Sequence, residues 1–539
     1  MARSIDLADV QGNILRPYGR QGFPKARFIF LHIAEAAAGR AFLWRLLPHI
    51  TTATRWQSKE SYPGQVIQRR PEVAHNVAFT FYGLVALELP TTSLSQMPPE
   101  FIDGMAARAN ILGDLRGRNK EECWDPIWQD STGDQRVHML ISLTSQMNPD
   151  GTPIEALEVA TRHIMALAQE SQGKVTVLPG NGPDRALYQD CSALLVQGPD
   201  GKMMPTPKEH FGFTDGFGDP VFEGQYPENA EMAEAVGGGK ILPDQSWAPL
   251  ATGEFLLGYP DEAQEVSGGT PPPEFIRNGT FMAYRKLQEN VTVFHDYLDR
   301  TAALYQRVMG IDKPEEARAT LMAKISGRWP DGIPVMAAPT LEAWHDFQKR
   351  EQAAHAAGNK AAIAAIERSY VDFKYRDDPQ GLKCPLSSHL RRANTRDMLD
   401  PTGGATDPND WNGSVLNNRR RILRRGLPYG ASALGQESGS EQGIIFLAVC
   451  ASLFRQFEFV QQQWIQYGLD FNAGNDTCPL VGNHDDSSKF VIPADPASGK
   501  PPFICDRPPQ FVETRGGDYF FIPSMTALRM IAMGTVDPT

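Results

Sequence analysis

The chain has 539 residues, of which 41% are hydrophobic and 22% are charged, and it carries a formal net charge of −12 at pH 7. This length exceeds what one small core can organise, so we expect two domains or one large domain with insertions. The acidic balance argues against a dedicated nucleic-acid-binding protein, because phosphate contacts require a basic face.

Signals for export or membrane insertion are missing from the sequence. The opening segment MARSIDLADVQGNILRPYG has no apolar core of the kind that a signal peptide needs. No run approaches the roughly 18 apolar residues of a membrane helix. The six cysteines are scattered without a CxxC pair, which argues against a zinc ribbon or a covalently attached haem and favours free thiols. We therefore expect a soluble, cytoplasmic protein that binds neither nucleic acid nor membrane.

Apolar residues follow strand spacing and helix spacing in turn in both halves of the chain. The predicted strands are 27–33, 76–89, 138–144, 173–178, 279–288 and the first parts of 443–466 and 517–532. The predicted helices are 39–50, 154–170, 290–308 and the second part of 443–466, whereas the second part of 517–532 is expected to be a loop. This succession predicts an α+β fold in which antiparallel sheets are backed by helices.

Loops rich in proline and glycine divide the chain, and we place a domain boundary near residue 205. The predicted domains are therefore 1–205 and 206–539. The segment 340–375 is rich in alanine and charged residues with strong helix propensity, so we expect a helical insertion on the surface of the second domain. Its histidines, His345 and His355, are expected to face solvent.

Several well-known catalytic motifs are missing. The sequence has no GxGxxG after a strand, no GxxxxGK[ST], no HExxH and no GxSxG, which removes the main support for dinucleotide, ATP, zinc-peptidase and hydrolase chemistry. Three other segments carry candidate functional side chains. They are FGFTDGFGDP at 211–220, CPLSSHLRRANTRD at 384–397 and NNRRRILRRGLPYG at 417–430.

Each segment has an ordinary explanation when it is taken alone. Asp215 and Asp219 could form a turn or a loose calcium loop, His389 could be a helix histidine, and the arginines of 419–425 could be a solvated face. Together they indicate haem chemistry, since neutral imidazole commonly holds haem iron from one side. Splitting peroxide on the other side requires a base and a cation, which an aspartate in a glycine-rich loop and an arginine in a Gly/Pro turn would supply.

These segments resemble those of a known family. GFTDG resembles the GxxDG motif of the dye-decolourising peroxidases, CPLSSHLRRANTR resembles their proximal-histidine segment, and RRILRRGLPYG resembles their distal-arginine segment. The opening DLADVQGNIL and the closing GGDYFFIPSMTALR are also similar to the two ends of that family. The resemblance spans nearly the whole chain in the expected order, and the length is similar to that of the larger members.

The resemblance implies a pair of ferredoxin-like α+β domains, with one haem b held mainly by the C-terminal domain. It implies that hydrogen peroxide is used to oxidise dyes and phenolic compounds in one-electron steps through an oxyferryl intermediate. The main alternative is a haem carrier without catalysis on the same scaffold, and a calcium-stabilised structural protein is a second alternative. The physiological reductant, the oligomeric state and any surface aromatic residue that relays electrons are not predicted.

The resemblance assigns three residues to the reaction itself. His389 would be the proximal ligand of the haem iron, and Asp215 would be the distal acid/base residue. Arg424 would be the distal arginine, although Arg425 is its immediate neighbour. A carboxylate base has an ordinary pKa of about 4, against about 6.5 for imidazole, so we predict an acidic optimum in the pH–rate profile of dye oxidation.

Further residues are assigned to holding the cofactor. The resemblance implies that Arg391 and Arg396 contact the haem propionates and that Gly216 allows the backbone to approach the macrocycle. The family places a carboxylate behind the proximal histidine, but the sequence here is GNDTCPLVG, with Cys478 at the expected position of the acid and Asp476 two residues earlier. Asp476 is therefore predicted as the candidate acid, and without such an acid the reduction potential of the iron would be higher.

Overall fold

The computed structural model of the chain describes residues 5–16, 18, 23–56, 67–129, 133–198, 201–399, 413–436 and 441–536. Among these residues, helices of the length and apolarity needed to cross a membrane are not found.

Nine antiparallel strands form one central sheet. They are β1 (Lys25–Ile33), β2 (Val73–Phe79), β3 (Met139–Ser145), β4 (Val175–Val177), β5 (Gln189–Ser192), β6 (Thr280–Glu289), β7 (Leu423–Tyr429), β8 (Gly443–Cys450) and β9 (Val512–Ile522). Their order is β7-β8-β6-β9-β2-β3-β1-β4, with β5 also paired to β1. The first half of the chain thus supplies one side of the sheet and the second half supplies the other.

The strands are apolar on both faces because both faces of the sheet are covered. In β1, Ile29 and Leu31 face one hydrophobic core, whereas Phe28 and Phe30 face a second core. The whole of β1 is buried, including the charged side chains of Lys25 and Arg27, which both pair with Asp190. The predicted α+β class with antiparallel sheets is confirmed.

The two sides of the sheet are joined where one residue of β2 pairs with one residue of β9. From this junction the two sides curve towards each other. Phe79 of β2 pairs with Phe521 of β9. Thr144 of β3 and Val449 of β8 line one cavity, although three strands separate β3 from β8 in the sheet. The sheet therefore wraps around an enclosed space. The domain boundary near residue 205 stays a prediction.

Helices cover the outer face of the sheet and extend the second half. The principal helices are α1 (Ala36–Leu46), α2 (Phe81–Ala86), α3 (Glu155–Glu170), α4 (Val291–Met309), α5 (Pro314–Ser326), α6 (Leu341–Ala356), α7 (Lys360–Ser369), α8 (His389–Ala393) and α9 (Met525–Met533). Two π-helical segments, Leu453–Glu458 and Val460–Ile465, follow β8. Helices α6 and α7 lie in the predicted insertion, and His345 and His355 are exposed there as expected.

Two predicted segments are wrong at their C-terminal parts, and helix capping explains both. The strand predicted at 76–89 ends at Phe79, because Thr80 caps α2 by accepting a 3.1 Å hydrogen bond from the backbone N–H of Gly83. The loop predicted after residue 522 is helix α9, which Ser524 caps through the N–H of Ala527 at 3.1 Å. Apolar residues lie on both sides of each boundary, so the sequence pattern does not show where the strand ends.

The segment around Arg424 is a strand and not the predicted turn. Leu423–Tyr429 pairs with β8, and Gly426 adopts a φ of +131° within it. A side chain at Gly426 would place its Cβ 1.8 Å from the carbonyl oxygen of Ile445, so the close approach of the two strands requires glycine. Pro428 is tolerated because β7 ends the sheet order.

Candidate active site

The glycine-rich loop is held in place by the glutamate that precedes it. The carboxylate of Glu209 accepts hydrogen bonds from the backbone N–H groups of Phe211 and Phe213, both at 2.8 Å. The N–H of Asp215 donates to the carbonyl of Pro207 at 2.8 Å. The turn offers these backbone N–H groups no partner in a helix or sheet, so the three bonds satisfy them. The same bonds fix the position of Asp215.

The phenylalanines of the loop fasten it to neighbouring helices. Phe211 and Phe213 pack against Phe294 of α4, with ring centroids 4.5 and 6.1 Å apart. Phe217 stacks on Tyr370, which follows α7, at 5.1 Å. The same three phenylalanines contribute to the wall of an adjacent cavity. The aromatic residues therefore both anchor the loop and make the cavity beside Asp215 apolar.

This cavity brings the predicted reaction residues together. It has a volume of about 340 Å³, and Asp215, Arg424 and His389 all lie on its wall. Gly216 lies there too, with a φ of +108° that favours glycine. Most of the lining comes from the second half of the chain, with Asp114 and Asn119 contributed by the first. Residues more than 200 positions apart in sequence thus meet at one cavity.

Asp215 and Arg424 form a two-bonded ion pair. Nη1 of Arg424 donates to Oδ2 of Asp215 at 2.7 Å, and Nη2 donates to Oδ1. About a third of each side chain remains accessible, 33% for Arg424 and 34% for Asp215, because the pair borders the cavity. Burial lowers the pKa of Arg424, but the charge and hydrogen bonds of Asp215 outweigh burial and raise that pKa above its ordinary value.

Strand alternation separates Arg424 from its neighbour. Successive side chains of a strand point to opposite faces, so Arg425 is directed away from the 340 Å³ cavity. Its Nη1 donates to Oδ2 of Asp219 at 2.8 Å, and its Nε donates to the carbonyl of Asn13 at 3.1 Å. Each aspartate of the loop is therefore neutralised by its own arginine, which argues against a calcium loop built on Asp215 and Asp219.

The sulfur of Cys478 occupies the position behind His389. Nδ1 of His389 lies 3.3 Å from Sγ of Cys478, so Nε2 is the ring nitrogen left for a metal. The carboxylate of Asp476 instead accepts a 3.0 Å hydrogen bond from Lys489. The predicted contact between Asp476 and His389 is therefore wrong, because the ion pair with Lys489 turns that carboxylate elsewhere.

The two arginines predicted to contact haem propionates are structural. Arg391 is fully buried and donates to Oδ2 of Asp378 at 3.1 Å and to the carbonyl of Cys384 at 2.7 Å. Arg396 donates to the carbonyl of Phe373 at 2.8 Å and lies over its ring at 3.8 Å. Neither belongs to the cavity lining among the described residues. This prediction is wrong because both guanidinium groups are used to join loops inside the protein.

Instead of Arg391 and Arg396, two other arginines, Arg328 and Arg421, lie at the cavity. Both line it, and their guanidinium groups donate to backbone carbonyls, Arg328 to Gly332 at 2.7 Å and Arg421 to Gly239 at 3.0 Å. Neither forms an ion pair within the described part of the chain. Burial lowers the pKa of each to about 9. A buried cation without an anion is costly, so this wall of the cavity suits an anionic ligand.

A second cavity lies on the other side of the ion pair. It has a volume of about 500 Å³ and is enclosed by the curved sheet, with Phe28, Thr144 and Leu447 on its wall. Asp215 and Arg424 line this cavity as well as the smaller one. The acid–arginine pair therefore stands between the two spaces and is accessible from both.

Other histidines are engaged elsewhere. Nε2 of His210, the residue before the loop, lies 2.9 Å from the carbonyl of Tyr429. His210 does not belong to the lining of the 340 Å³ cavity. Within the described ranges, clusters of three or more His, Cys, Asp or Glu side chains suited to a bare metal ion are not found. His389 is thus the histidine that the structure places at the candidate site.

The chain is similar in sequence to known proteins along nearly its whole length. The family model described as "DyP dimeric alpha+beta barrel domain" matches residues 9–181. Peroxidase 2 of Mycetinis scorodonius is 26% identical, with 97% of this chain and 87% of that protein covered. The multifunctional dye peroxidase DyP2 of an Amycolatopsis species is 28% identical, with 97% of this chain and 96% of that protein covered.

Solved structures match the fold over the whole chain. A dye-decolorizing peroxidase in complex with 2,6-dimethoxyphenol has a TM-score of 0.69 and 24% identity, covering 98% of this chain and 100% of that one. The fungal DyP-type peroxidase of Auricularia auricula-judae gives a TM-score of 0.69 at 21% identity, with the same coverage. Fold and relatives together define the class of protein as a haem peroxidase. Within that class, the chain is similar in sequence and fold to the dye-decolourising peroxidases over nearly its whole length, and residues 9–181 match the model of that family.

Proposed function

We propose that the protein binds one haem b per chain and uses hydrogen peroxide to oxidise phenolic compounds and dyes in one-electron steps. The observation that carries this proposal is that Asp215, Arg424 and His389 line one cavity, with the acid and the arginine in contact. A haem carrier would need His389 and the cavity, but it would have no use for the acid–arginine pair.

The residues present fit a haem group. Nε2 of His389 would hold the iron, because Nδ1 contacts Cys478. Arg328 and Arg421 would hold the two propionates, whose negative charges would compensate the buried guanidinium groups. Gly216, which lies on the cavity wall and has no side chain, would let the flat macrocycle approach the loop. When bound, haem supplies the iron at which peroxide is split and through which electrons are delivered.

The side chains of the chain handle the proton and the charge. Asp215 would accept the proton from one oxygen of hydrogen peroxide and return it to the other oxygen as the O–O bond breaks. Arg424 would stabilise the negative charge on the departing oxygen. Because Arg424 holds Asp215 in a two-bonded pair, the carboxylate is oriented before peroxide arrives.

The 500 Å³ cavity offers small molecules a route to this pair. Its wall is mainly apolar, and Oγ1 of Thr144 and the hydroxyl of Tyr18 on it have no hydrogen-bond partner among the described residues. Such a surface suits peroxide or a small phenol. Its volume is too small for a bulky dye, so electrons from dyes would have to travel through the protein.

The primary experiment is to reconstitute the purified chain with haem and record its absorption spectrum. A Soret band, followed by rapid spectral change on adding peroxide and by oxidation of 2,6-dimethoxyphenol, is the expected result. A Soret band without reaction with peroxide would favour the haem carrier, and failure to bind haem would exclude both. A cytoplasmic location stays a prediction; the six cysteines are all unpaired.

Replacing Arg421 with methionine is expected to weaken haem binding by about tenfold or more, since a buried charge partner of the propionate is lost. The haem-free variant should be as stable as the parent or more stable, because the substitution removes an uncompensated buried cation. Haem transfer to apomyoglobin measures the first effect and thermal unfolding the second. Arg420→Met is the matched control, since Arg420 donates to the carbonyl of Arg455 at 2.6 Å. Equal haem loss from both variants would contradict the assignment.

Replacing Cys478 with aspartate is expected to lower the reduction potential of the bound haem. A carboxylate is a stronger acceptor for the ring N–H of His389 than a thiol, so the imidazole would donate more electron density to the iron. Spectroelectrochemical titration measures the midpoint potential. Cys191→Ser, at a buried thiol in the first half of the chain, should leave it unchanged. An unchanged or higher potential in Cys478→Asp would show that this sulfur does not tune the ligand.

A further inference from the structure

Two glutamates lie directly beneath the loop that carries Asp215. Glu209 precedes the loop and lines both cavities, whereas Glu289 ends β6 and lines the smaller cavity. Glu289 is 6% exposed, and its Oε2 atom has no hydrogen-bond partner among the described residues. Buried carboxylate oxygens are normally satisfied, so this atom calls for an explanation.

The two carboxyl groups contact each other. The carboxyl of Glu289 lies within hydrogen-bonding reach of the Glu209 carboxyl and close to the backbone N–H of His210. Ionised carboxylates are acceptors only, so a hydrogen bond between them requires one proton on the pair. A hydrogen bond through this proton would also satisfy Oε2 of Glu289.

The electrostatic surroundings favour retention of the proton. Burial is the largest cause that raises the pKa of Glu209 and of Glu289, and their mutual repulsion adds to it for Glu289. The other titratable groups that act on the pair are Lys208, Asp215, Arg424 and Tyr429. Asp215 adds a further negative charge on the same side, although Arg424 neutralises most of it.

We propose that Glu209 and Glu289 hold one proton between them and deliver it to Asp215 through water in the cavity. This inference rests on the proposed function. Hydrogen peroxide carries two hydrogens, which are enough for the first water that leaves when the O–O bond breaks. The second water forms only afterwards, when two electrons and two protons are taken up in the two donor steps. Aromatic donors lose one electron and one proton each, which balances the reaction.

Asp215 alone cannot supply these protons. In moving a proton between the two oxygens of peroxide it gains none, so any further proton must reach it from another group. The glutamate pair is the adjacent group that can give one. Because Glu209 also borders the 500 Å³ cavity, the pair can be reprotonated from that side. The pair is therefore a proton store placed between the access cavity and Asp215.

Glu289→Gln is the variant that tests this role. The glutamine oxygen can still accept the N–H of His210, and its amide can donate to Glu209, so the contact is kept while the exchangeable proton is lost. Glu209→Gln is less suitable, because both oxygens of Glu209 hold loop N–H groups. Glu100→Gln is the matched control, since Glu100 is buried and accepts the N–H of Phe454 away from both cavities.

Two readouts on the haem-loaded protein decide the outcome. Infrared difference spectra across neutral pH should show the carbonyl band of a protonated carboxyl in the parent and in Glu100→Gln, and this band should disappear in Glu289→Gln. Turnover at saturating donor and pH 7 should fall about tenfold in Glu289→Gln, with a larger solvent deuterium isotope effect, and the deficit should narrow towards pH 4 as water protonates Asp215 directly.

The absence of that band, or an unchanged pH–rate profile and isotope effect in Glu289→Gln, would overturn the proton store. The peroxidase proposal would survive either result, because the parent protein would remain active. If instead the parent consumed no peroxide, the peroxidase proposal would fail, and the proton store with it.

Discussion

Replacing Asp215 with asparagine is expected to slow the reaction with hydrogen peroxide by about 10²- to 10⁴-fold, the usual contribution of a general acid–base group. Asparagine has the same shape and can still accept one hydrogen bond from Arg424, so the loop should keep its place. It cannot take up the proton of peroxide. Stopped-flow absorption measurements with the haem-loaded protein give the second-order rate constant directly.

Asp219→Asn is the matched control for this substitution. Asp219 belongs to the same loop and is also paired with an arginine, at 2.8 Å from Arg425. If Asp215 and Arg424 are the pair that reacts with peroxide, Asp219→Asn should react at nearly the parental rate. A large loss in Asp219→Asn together with normal reactivity in Asp215→Asn would exclude Asp215 as the base.

Replacing His389 with glycine is expected to abolish stable haem binding in its native form. The imidazole is the only protein ligand that we assign to the iron, and its removal leaves a space at the end of α8 next to Cys478. Added imidazole should fill that space and restore the Soret band. Absorption titration of the reconstituted variant with haem, with and without imidazole, measures both effects.

The comparison variant for His389 is His210→Gln. His210 is the neighbouring histidine closest in sequence to the loop, and glutamine can keep a hydrogen bond to the carbonyl of Tyr429. This variant should retain haem. Loss of the Soret band in His210→Gln with retention in His389→Gly would reverse the assignment of the iron ligand.

Local sequence patterns were sufficient to predict most of the regular structure. The apolar residues at the centre of β1 and the helical spacing of α3 and α4 each specify one element without reference to the rest of the chain. The boundaries at residues 80 and 524 were missed, because a single capping side chain separates strand from helix there. The run containing Arg424 was taken for a turn, since glycine and proline usually indicate one.

The candidate reaction residues and the two propionate-binding arginines were predicted from the same segments, but only the former lie at the cavity. Asp215, Arg424 and His389 lie in segments whose composition is unusual enough to be recognised. Arg391 and Arg396 were chosen because they follow His389 in sequence. The side chains of a short helix and the loop after it point in several directions, and these two point into the protein interior.

The sequence by itself determined the α+β class and singled out Asp215, Arg424 and His389 as candidates for the site, because periodicity and motifs are local properties of a chain. Only the tertiary structure decided that Arg328 and Arg421 face the cavity, that Cys478 stands behind His389, and that Glu209 meets Glu289. Which charge meets which partner depends on contacts between segments far apart in sequence. The energy of a buried charge is set by those contacts, and no local pattern records them.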